Sequence, residues 1–307
     1  MRQAILGAGA IGGLMATVLG SLGDGVILIV RPERLADYPN TLSLERPSGT
    51  ITAPAEVAAH LTAPADVLWV ATKTYQLEAA LAAIETVPGI VVPLLNGVDH
   101  VAVLRARFGD DRVVPATIAV EAERSAASRF VQRSPVRLKV AASGEPVLKD
   151  IIAGLQGLGF ICQFIASEPT LLWSKLCFIE PFALVTSASG KNLGEILADA
   201  EWKGKFESAI REACAVAVKE GAPVDGEKVA AAFAAYPATM RASMAKDLAA
   251  GRRLELDGIA GPIVRSGARF GVPTPITESL AAMIEAAERT RSATRSRGEL
   301  FIPTDTK

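Results

Sequence analysis

Through the first half of the chain, short apolar runs alternate with stretches in which apolar residues return every three or four positions. Residues 3–6 (QAIL) form the first run and end at Gly7; residues 11–22 then carry the Ala, Leu and Met content of a helix. A second run, 26–30, stops at Arg31 and Pro32. Three more follow at 67–71, 90–95 and 113–120, and residues 75–84 between them have helical spacing. Such alternation requires parallel strands joined by helical crossovers, so an α/β doubly wound sheet is expected. Two further runs, Arg129–Gln132 and Arg137–Ala141, flank Ser134 and Pro135 and read as a hairpin that would give this domain an antiparallel edge. A helix over 145–158 and a strand over 160–165 complete it. From Glu168 to Arg291 the spacing is helical throughout, alanine is abundant and no strand pattern appears. Gly190, the Gly221-Ala-Pro223 turn, Tyr236 with Pro237, Gly251 and the stretch from Gly271 to Pro275 break it into about six helices. The reading is an α/β domain with a parallel sheet over 1–166, followed by an all-α domain over 167–307.

A chain of 307 residues is at the size where one core usually divides into two, in agreement with that partition. With 50% hydrophobic and 21% charged residues it is not a disordered chain. The 32 basic and 33 acidic residues leave a net charge of −1, and the first 166 residues hold 14 and 15 of them. Neither half has the basic excess of a nucleic-acid binder. The arginines at 289, 291, 295 and 297 lack interleaved aromatics and read as a solvated helix end. Cys162, Cys177 and Cys214 show no metal-ligand spacing and cannot all pair, which fits a reducing compartment better than a disulfide framework. With His60 and His100 as the sole histidines, no metal site is expected. No signal-peptide pattern precedes the first strand, and no unbroken apolar run approaches the roughly 18 residues of a membrane span. A cytoplasmic protein with no membrane partner is expected.

The chemistry begins with Gly7, Gly9 and Gly12, the run GAGAIG, placed directly after a strand and opening a helix. The first glycine permits a tight turn, the second lets the backbone approach a pyrophosphate, and the third lets helix and strand pack closely. The N–H groups of the helix start, at Ala10 and Ile11, then face the anion. In that setting the motif indicates a Rossmann-type dinucleotide site. An NAD-type unit places Asp or Glu at the end of the second strand to accept from the ribose. Here that position is Arg31, which can only donate and suits a 2′-phosphate, with Arg34 one turn on. NADPH/NADP+ is therefore expected; the other reading leaves Arg31 solvated and lets Glu33 accept. Lys73 in VLWVATK and Asn96 in LLNG follow further strands, whose carboxyl ends are where ligands sit. Thr-Lys and Asn-Gly are also ordinary loop pairs.

In the helical half, Lys175 stands among bulky apolar residues in WSKLCF. Desolvation there would lower its pKa and make it a proton donor, or the lysine snorkels from a core helix. The segment from Ser243 to Asp247 and the glycine- and acid-rich stretch 251–261, which contains Glu255, mark either a site or capped helix starts.

Taken in order, GAGAIG, TKTYQ, LLNG, W-x-K-L, S-M-x-x-D, G-x-x-x-E-x-D-x-I-x-G and G-V-P-T-P resemble the ketopantoate reductase family over nearly the whole chain. The resemblance implies an oxidoreductase that reduces 2-dehydropantoate to (R)-pantoate with NADPH, a step toward pantothenate and coenzyme A. By position it implies that Lys175 donates a proton to the substrate carbonyl oxygen and that Glu255 binds the substrate hydroxyl and helps set the lysine. It implies further that Ser243 holds the substrate carboxylate and that Lys73 and Asn96 lie at the cofactor and nicotinamide edge, Asn96 also meeting substrate. Many family members carry asparagines four and eight residues after the lysine, where this chain has Ile179 and Ala183. The substrate therefore stays open: another branched 2-keto acid, an opine-type dehydrogenation, or non-catalytic sensing of NADP(H) are the alternatives. The expected partners are a small 2-keto acid and, beyond it, a second copy of the chain as a homodimer.

Overall fold

The structure, a computed structural model, describes residues 1–299, with side chains as far as Arg291. The chain divides into two compact units, Met1–Leu172 and Trp173–Lys307.

The first unit is organised on a parallel sheet of β1 (Arg2–Leu6), β2 (Gly25–Ile29), β5 (Glu56–Ala58), β6 (Val67–Val70) and β7 (Ile90–Pro93), in the order β5-β2-β1-β6-β7. Alternate residues go to opposite faces. Ile5, Leu28, Trp69 and Val92 enter one core, while Ala4, Leu6, Ile27, Ile29, Leu68, Val70 and Val91 enter the other. Burial on both faces is why these strands read as continuous apolar runs. Helix α1 (Ala10–Ser21) packs on the first face; α2 (Leu77–Leu81) and α3 (His100–Phe108) supply Leu77, Leu81, Leu104 and Phe108 to the second.

Two smaller sheets complete this unit. One contains β3 (Thr41–Arg46), β4 (Gly49–Pro54), β9 (Ala122–Ala126) and β10 (Arg129–Gln132), ordered β4-β3-β10-β9; it lies against α1. Phe130 from β10 fills the space a side chain at Gly13 would need, since a Cβ there would stand 2.0 Å from the ring. The other contains β8 (Ala116–Ala119), β11 (Arg137–Ala141) and β12 (Ile161–Ile165), backed by α4 (Glu145–Gly157).

The expected hairpin between Arg129–Gln132 and Arg137–Ala141 is not formed. β10 pairs antiparallel with β9 through the short turn at Ala127 and Ser128, and parallel with β3, whereas β11 pairs with β8 and β12 in another sheet. Pro135, without an N–H, cannot carry a ladder across the gap. The antiparallel edge exists, but as β8 on β11. Residues 113–120 likewise leave the parallel sheet, touching it through one bridge between Val91 and Val113. Residues 75–84 form a 3-10 turn, Thr74–Gln76, and the short α2 in place of a full helix. Four strands, β3, β4, β5 and β9, have no counterpart in the apolar-run reading.

The second unit is helical. It holds α5 (Glu168–Ser189, entered from the first unit), α6 (Leu193–Ala198), α7 (Ala200–Lys219), α8 (Gly226–Ala232), α9 (Ser243–Ala249), α10 (Leu256–Phe270) and α11 (Pro275–Glu299). That is one helix more than the glycine and proline breaks suggest. The extra break is Asp199, whose side chain accepts from the N–H groups of Glu201 at 3.1 Å and Trp202 at 3.2 Å and so starts α7 anew. Helix α5 is the core of the bundle: Phe178 stacks on Phe233 at 4.3 Å, and Phe182 meets Phe206 and Phe233. At 22 residues, with an 18-residue stretch of mean hydropathy 1.3, α5 is long and apolar enough to cross a membrane, yet 72% of that stretch is buried inside the protein. Of the terminal arginines, Arg289 pairs with Glu285 and Arg291 donates to the Leu248 carbonyl; Arg295 and Arg297 lie outside the residues whose side chains are described.

Candidate active site

In the first unit the strand order reverses at β1, with β2 on one side and β6 on the other, and an open α/β sheet binds its ligand outside the carboxyl ends of the strands at such a point. Gly7 leaves β1 there. Its φ of +105° suits glycine, and a Cβ would press 2.9 Å from the Ala71 carbonyl oxygen at the end of β6. Gly12 lies in the first turn of α1, where a Cβ would overlap the Gly7 carbonyl at 1.8 Å. Gly9 differs: it is exposed, a Cβ there would meet nothing nearer than 4.0 Å, and it begins α1 without any side-chain cap. The N–H groups of Ala10 and Ile11, in the open first turn, have no intrahelical acceptor. This glycine cradle at a helix N-terminus fits a dinucleotide pyrophosphate.

The other sequence-derived cofactor residues lie on the same sheet edge. Lys73 follows β6 as a half-buried residue heading the 3-10 turn Thr74–Gln76. Asn96 follows β7, half-buried, before Gly97 at φ +79°. Backbone bonds fix both loops, from Ala71 N–H to the Leu6 carbonyl at 2.9 Å and from Leu94 N–H to the Val70 carbonyl at 2.8 Å. Arg31 stands just past β2 with its side chain 70% exposed, its Nε 3.3 Å from the Glu33 carboxylate. The two residues that the sequence set against each other are thus neighbours, and the free face of the guanidinium is open to an incoming anion. Arg34 pairs instead with Asp37.

In the helical unit, Lys175 is half-buried on α5. Burial lowers its pKa from 10.5 to about 8, and the negative charge of Glu255 works the other way. Glu255 itself is 5% exposed and heads α10. Eighty residues apart in sequence, the two therefore share one electrostatic environment. Ile179 and Ala183 follow Lys175 at helical spacing, Ile179 half-buried and Ala183 buried. Ser243 is the first residue of α9 and exposed.

Sequence reasoning overlooked Glu180. It is fully buried on α5, and burial holds its pKa well above 4.5, opposed by the Thr277 hydroxyl and helped by the charge of Glu212. Glu212 is committed elsewhere, accepting from the N–H groups of Ile276 at 2.9 Å and Thr277 at 2.8 Å at the start of α11. The signal was an acid inside the apolar run FIEPFALV, a position that is costly for a charge and tolerable for a neutral carboxylic acid.

Known proteins bear on this arrangement. Residues 3–145 match the family model of ketopantoate reductase PanE/ApbA, and residues 170–288 match that family's C-terminal model. A 2-dehydropantoate 2-reductase of Caulobacter vibrioides is 34% identical over 299 residues, covering 92% of this chain and 98% of that protein. Among solved structures, 2-dehydropantoate 2-reductase from Geobacter metallireducens superposes with a TM-score of 0.85 at 23% identity, over 94% of this chain and 100% of that one. D-mandelate dehydrogenase, solved with NADH and anilino(oxo)acetate, has the same fold at 22% identity and a TM-score of 0.82, over 94% of this chain and 99% of that one. The family reductant is NADPH. A Rossmann-type sheet with a glycine cradle, a helical unit with a lysine of lowered pKa, and two family models covering most of the sequence agree: the chain belongs to the ketopantoate reductase family, oxidoreductases that act on a CH–OH group.

Proposed function

We propose that this chain reduces a 2-keto acid, 2-dehydropantoate foremost, to the (R)-2-hydroxy acid at the expense of NADPH, with Lys175 as the proton donor. The observation that carries the proposal is Lys175, an amine whose pKa is brought to about 8 by burial beside the Glu255 carboxylate. An acid of that strength is largely protonated at neutral pH yet gives up its proton readily, which is the compromise general acid catalysis requires. Bound NADPH supplies the hydride. The Gly7-to-Gly12 turn and the start of α1 hold the pyrophosphate, Arg31 the 2′-phosphate, and Lys73 and Asn96 the inner edge of the cofactor. As the keto carbon takes up a hydride to form its new C–H bond, the carbonyl π pair would move onto oxygen; Lys175 would stabilise that charge and pass its proton to the oxygen, becoming a neutral amine that is reprotonated from water. Glu255 orients the substrate hydroxyl, and Ser243 takes the carboxylate.

In this proposal residues 1–166 serve the cofactor and 167–307 the substrate, in a cytoplasmic homodimer; light scattering checks the assembly against the 32.1 kDa chain mass. The second reading, a reductase of branched 2-keto acids without the hydroxyl, is favoured by Ile179 and Ala183. Without two amides on that face, a site discriminates as an apolar pocket does, by about 10–200-fold rather than beyond 10⁴. NADPH oxidation with a panel of 2-keto acids, including 2-dehydropantoate and 2-keto-3,3-dimethylbutanoate, tests both. No turnover of any keto acid would refute the enzyme reading. A preference for 2-dehydropantoate beyond about 10⁴ would refute the relaxed pocket.

A further inference from the structure

The glycine turn has a support outside the glycine motif and outside the chemistry above. Ala8, between the first two glycines, directs its carbonyl oxygen at two donors from distant segments. Arg124 on β9 donates from Nη1 at 3.1 Å, and Tyr38 donates from its hydroxyl at 3.3 Å. The same Arg124 nitrogen donates to the Tyr38 hydroxyl oxygen at 2.9 Å, so the three groups close a small triangle. Tyr38 is 7% exposed and belongs to the core that contains α1, which gives the triangle a fixed base.

This peptide is the place in the turn where a clamp has most to hold. It joins Ala8 to Gly9, with Gly7 just before them, and glycine allows backbone rotations that other residues forbid. In a trans peptide the carbonyl of one residue and the N–H of the next point in opposite directions. Fixing the Ala8 oxygen on Arg124 and Tyr38 therefore aims the Gly9 N–H away from them, from a residue that is exposed and has open space around it. Turned by half a rotation, the same peptide would present a carbonyl oxygen to a phosphate and repel it.

We infer that Arg124 and Tyr38 are positioning residues of the dinucleotide site, holding the Ala8–Gly9 peptide with its N–H toward the pyrophosphate. The inference rests on the dinucleotide-binding reading above and extends it to two residues outside the glycine motif. They act through the backbone on the part of the ligand common to NADPH and NADH. Arg31, by contrast, acts on the 2′-phosphate that only NADPH carries.

Dissociation constants for NADPH, NADH and 2′-AMP, measured calorimetrically on the full-length wild type and on Arg124→Ala, Arg124→Lys, Tyr38→Phe and Arg31→Ala, test this. Arg124→Ala is expected to weaken NADPH and NADH by the same factor, about tenfold, and Tyr38→Phe by about threefold. Arg124→Lys, which keeps a donor, should recover part of the loss. Binding of 2′-AMP, which has no pyrophosphate, should be unchanged in these variants and weakened in Arg31→Ala. A loss in Arg124→Ala confined to NADPH would make Arg124 a 2′-phosphate ligand and overturn the inference, as would unchanged affinity for both dinucleotides while the wild type binds them. A wild type that binds neither dinucleotide would instead remove the reading beneath it, and the inference with it.

Discussion

At Gly7, Gly9 and Gly12 the chain keeps side chains out: a Cβ at Gly12 would collide with the Gly7 carbonyl at 1.8 Å, and Gly9 leaves open space above a helix start. Around Lys175 it does the reverse, surrounding an ionisable side chain with a helical bundle until its pKa falls to about 8. In the proposed function the working groups of the first region are backbone N–H donors, whose strength is fixed by the helix they begin, and that of the second is a side chain whose strength is set by its surroundings. Backbone sites are thus specified by what the sequence omits, and side-chain sites by what tertiary packing brings near.

The contrast is tested most severely at Lys175. Lys175→Ala should lower kcat by roughly 10²–10⁴ while the dissociation constant for NADPH stays near that of the wild type, because the glycine cradle is built without it. In the wild type, kcat for reduction should fall as pH rises past about 8, where the ammonium is lost. A steady-state pH profile with parallel titration of NADPH binding checks both; loss of cofactor affinity on a comparable scale would erase the division of labour.

A smaller effect is expected at Arg31, whose exposed side chain would meet the 2′-phosphate beside the backbone cradle. Arg31→Ala should weaken NADPH by about 1–2 kcal/mol, the lower part of the range for a charged hydrogen bond given its exposure, and leave NADH nearly unaffected. Equal wild-type affinity for the two dinucleotides would remove the 2′-phosphate role of Arg31, and a preference for NADH would pass the choice to Glu33.

The smallest effect concerns stability. Glu180 has its folded pKa raised above the ordinary 4.5, so the folded state holds a proton that the unfolded state releases. Its contribution is fully present below that ordinary value and is lost as pH rises toward the raised one. Lys175, with its pKa lowered, has the opposite sign: the unfolded state binds more protons between about 8 and 10.5, so stability gains with pH across that window. Glu180→Gln should remove the first slope and raise stability at mildly alkaline pH by on the order of 1 kcal/mol. Urea denaturation at a series of pH values measures it; an unchanged slope would mean that the carboxyl is already ionised in the folded protein.

How much of this was legible in the sequence follows the same contrast. The turn after β1 was readable because its requirements are local: three glycines, a preceding apolar run and a following helix all lie within twenty residues. Strands buried on both faces were readable for the same reason. β3 was not, because only Leu42 and Leu44 of its six residues are fully buried, and half-buried alternation over so short a stretch resembles a loop. The break at Asp199 passed unseen because a capping carboxylate ends one helix and begins another without a glycine or proline to mark it. Lys175 stood out in the sequence as an isolated charge. Its pKa, however, depends on Glu255 and on the bundle around it, and neither can be placed by counting along α5.

Gly13 stands beyond the three glycines of the motif, and its partner is neither a loop nor a phosphate but the ring of Phe130, which occupies the volume of the side chain Gly13 lacks. Two positions 117 residues apart are therefore complementary in size, one kept minimal so that the other can be large. Enlarging residue 13 is tolerable only if residue 130 shrinks with it. In the language of inheritance, these positions form a correlated pair whose neutral paths run through simultaneous change, so the cofactor end of α1 and the small sheet above it are free to diverge only together.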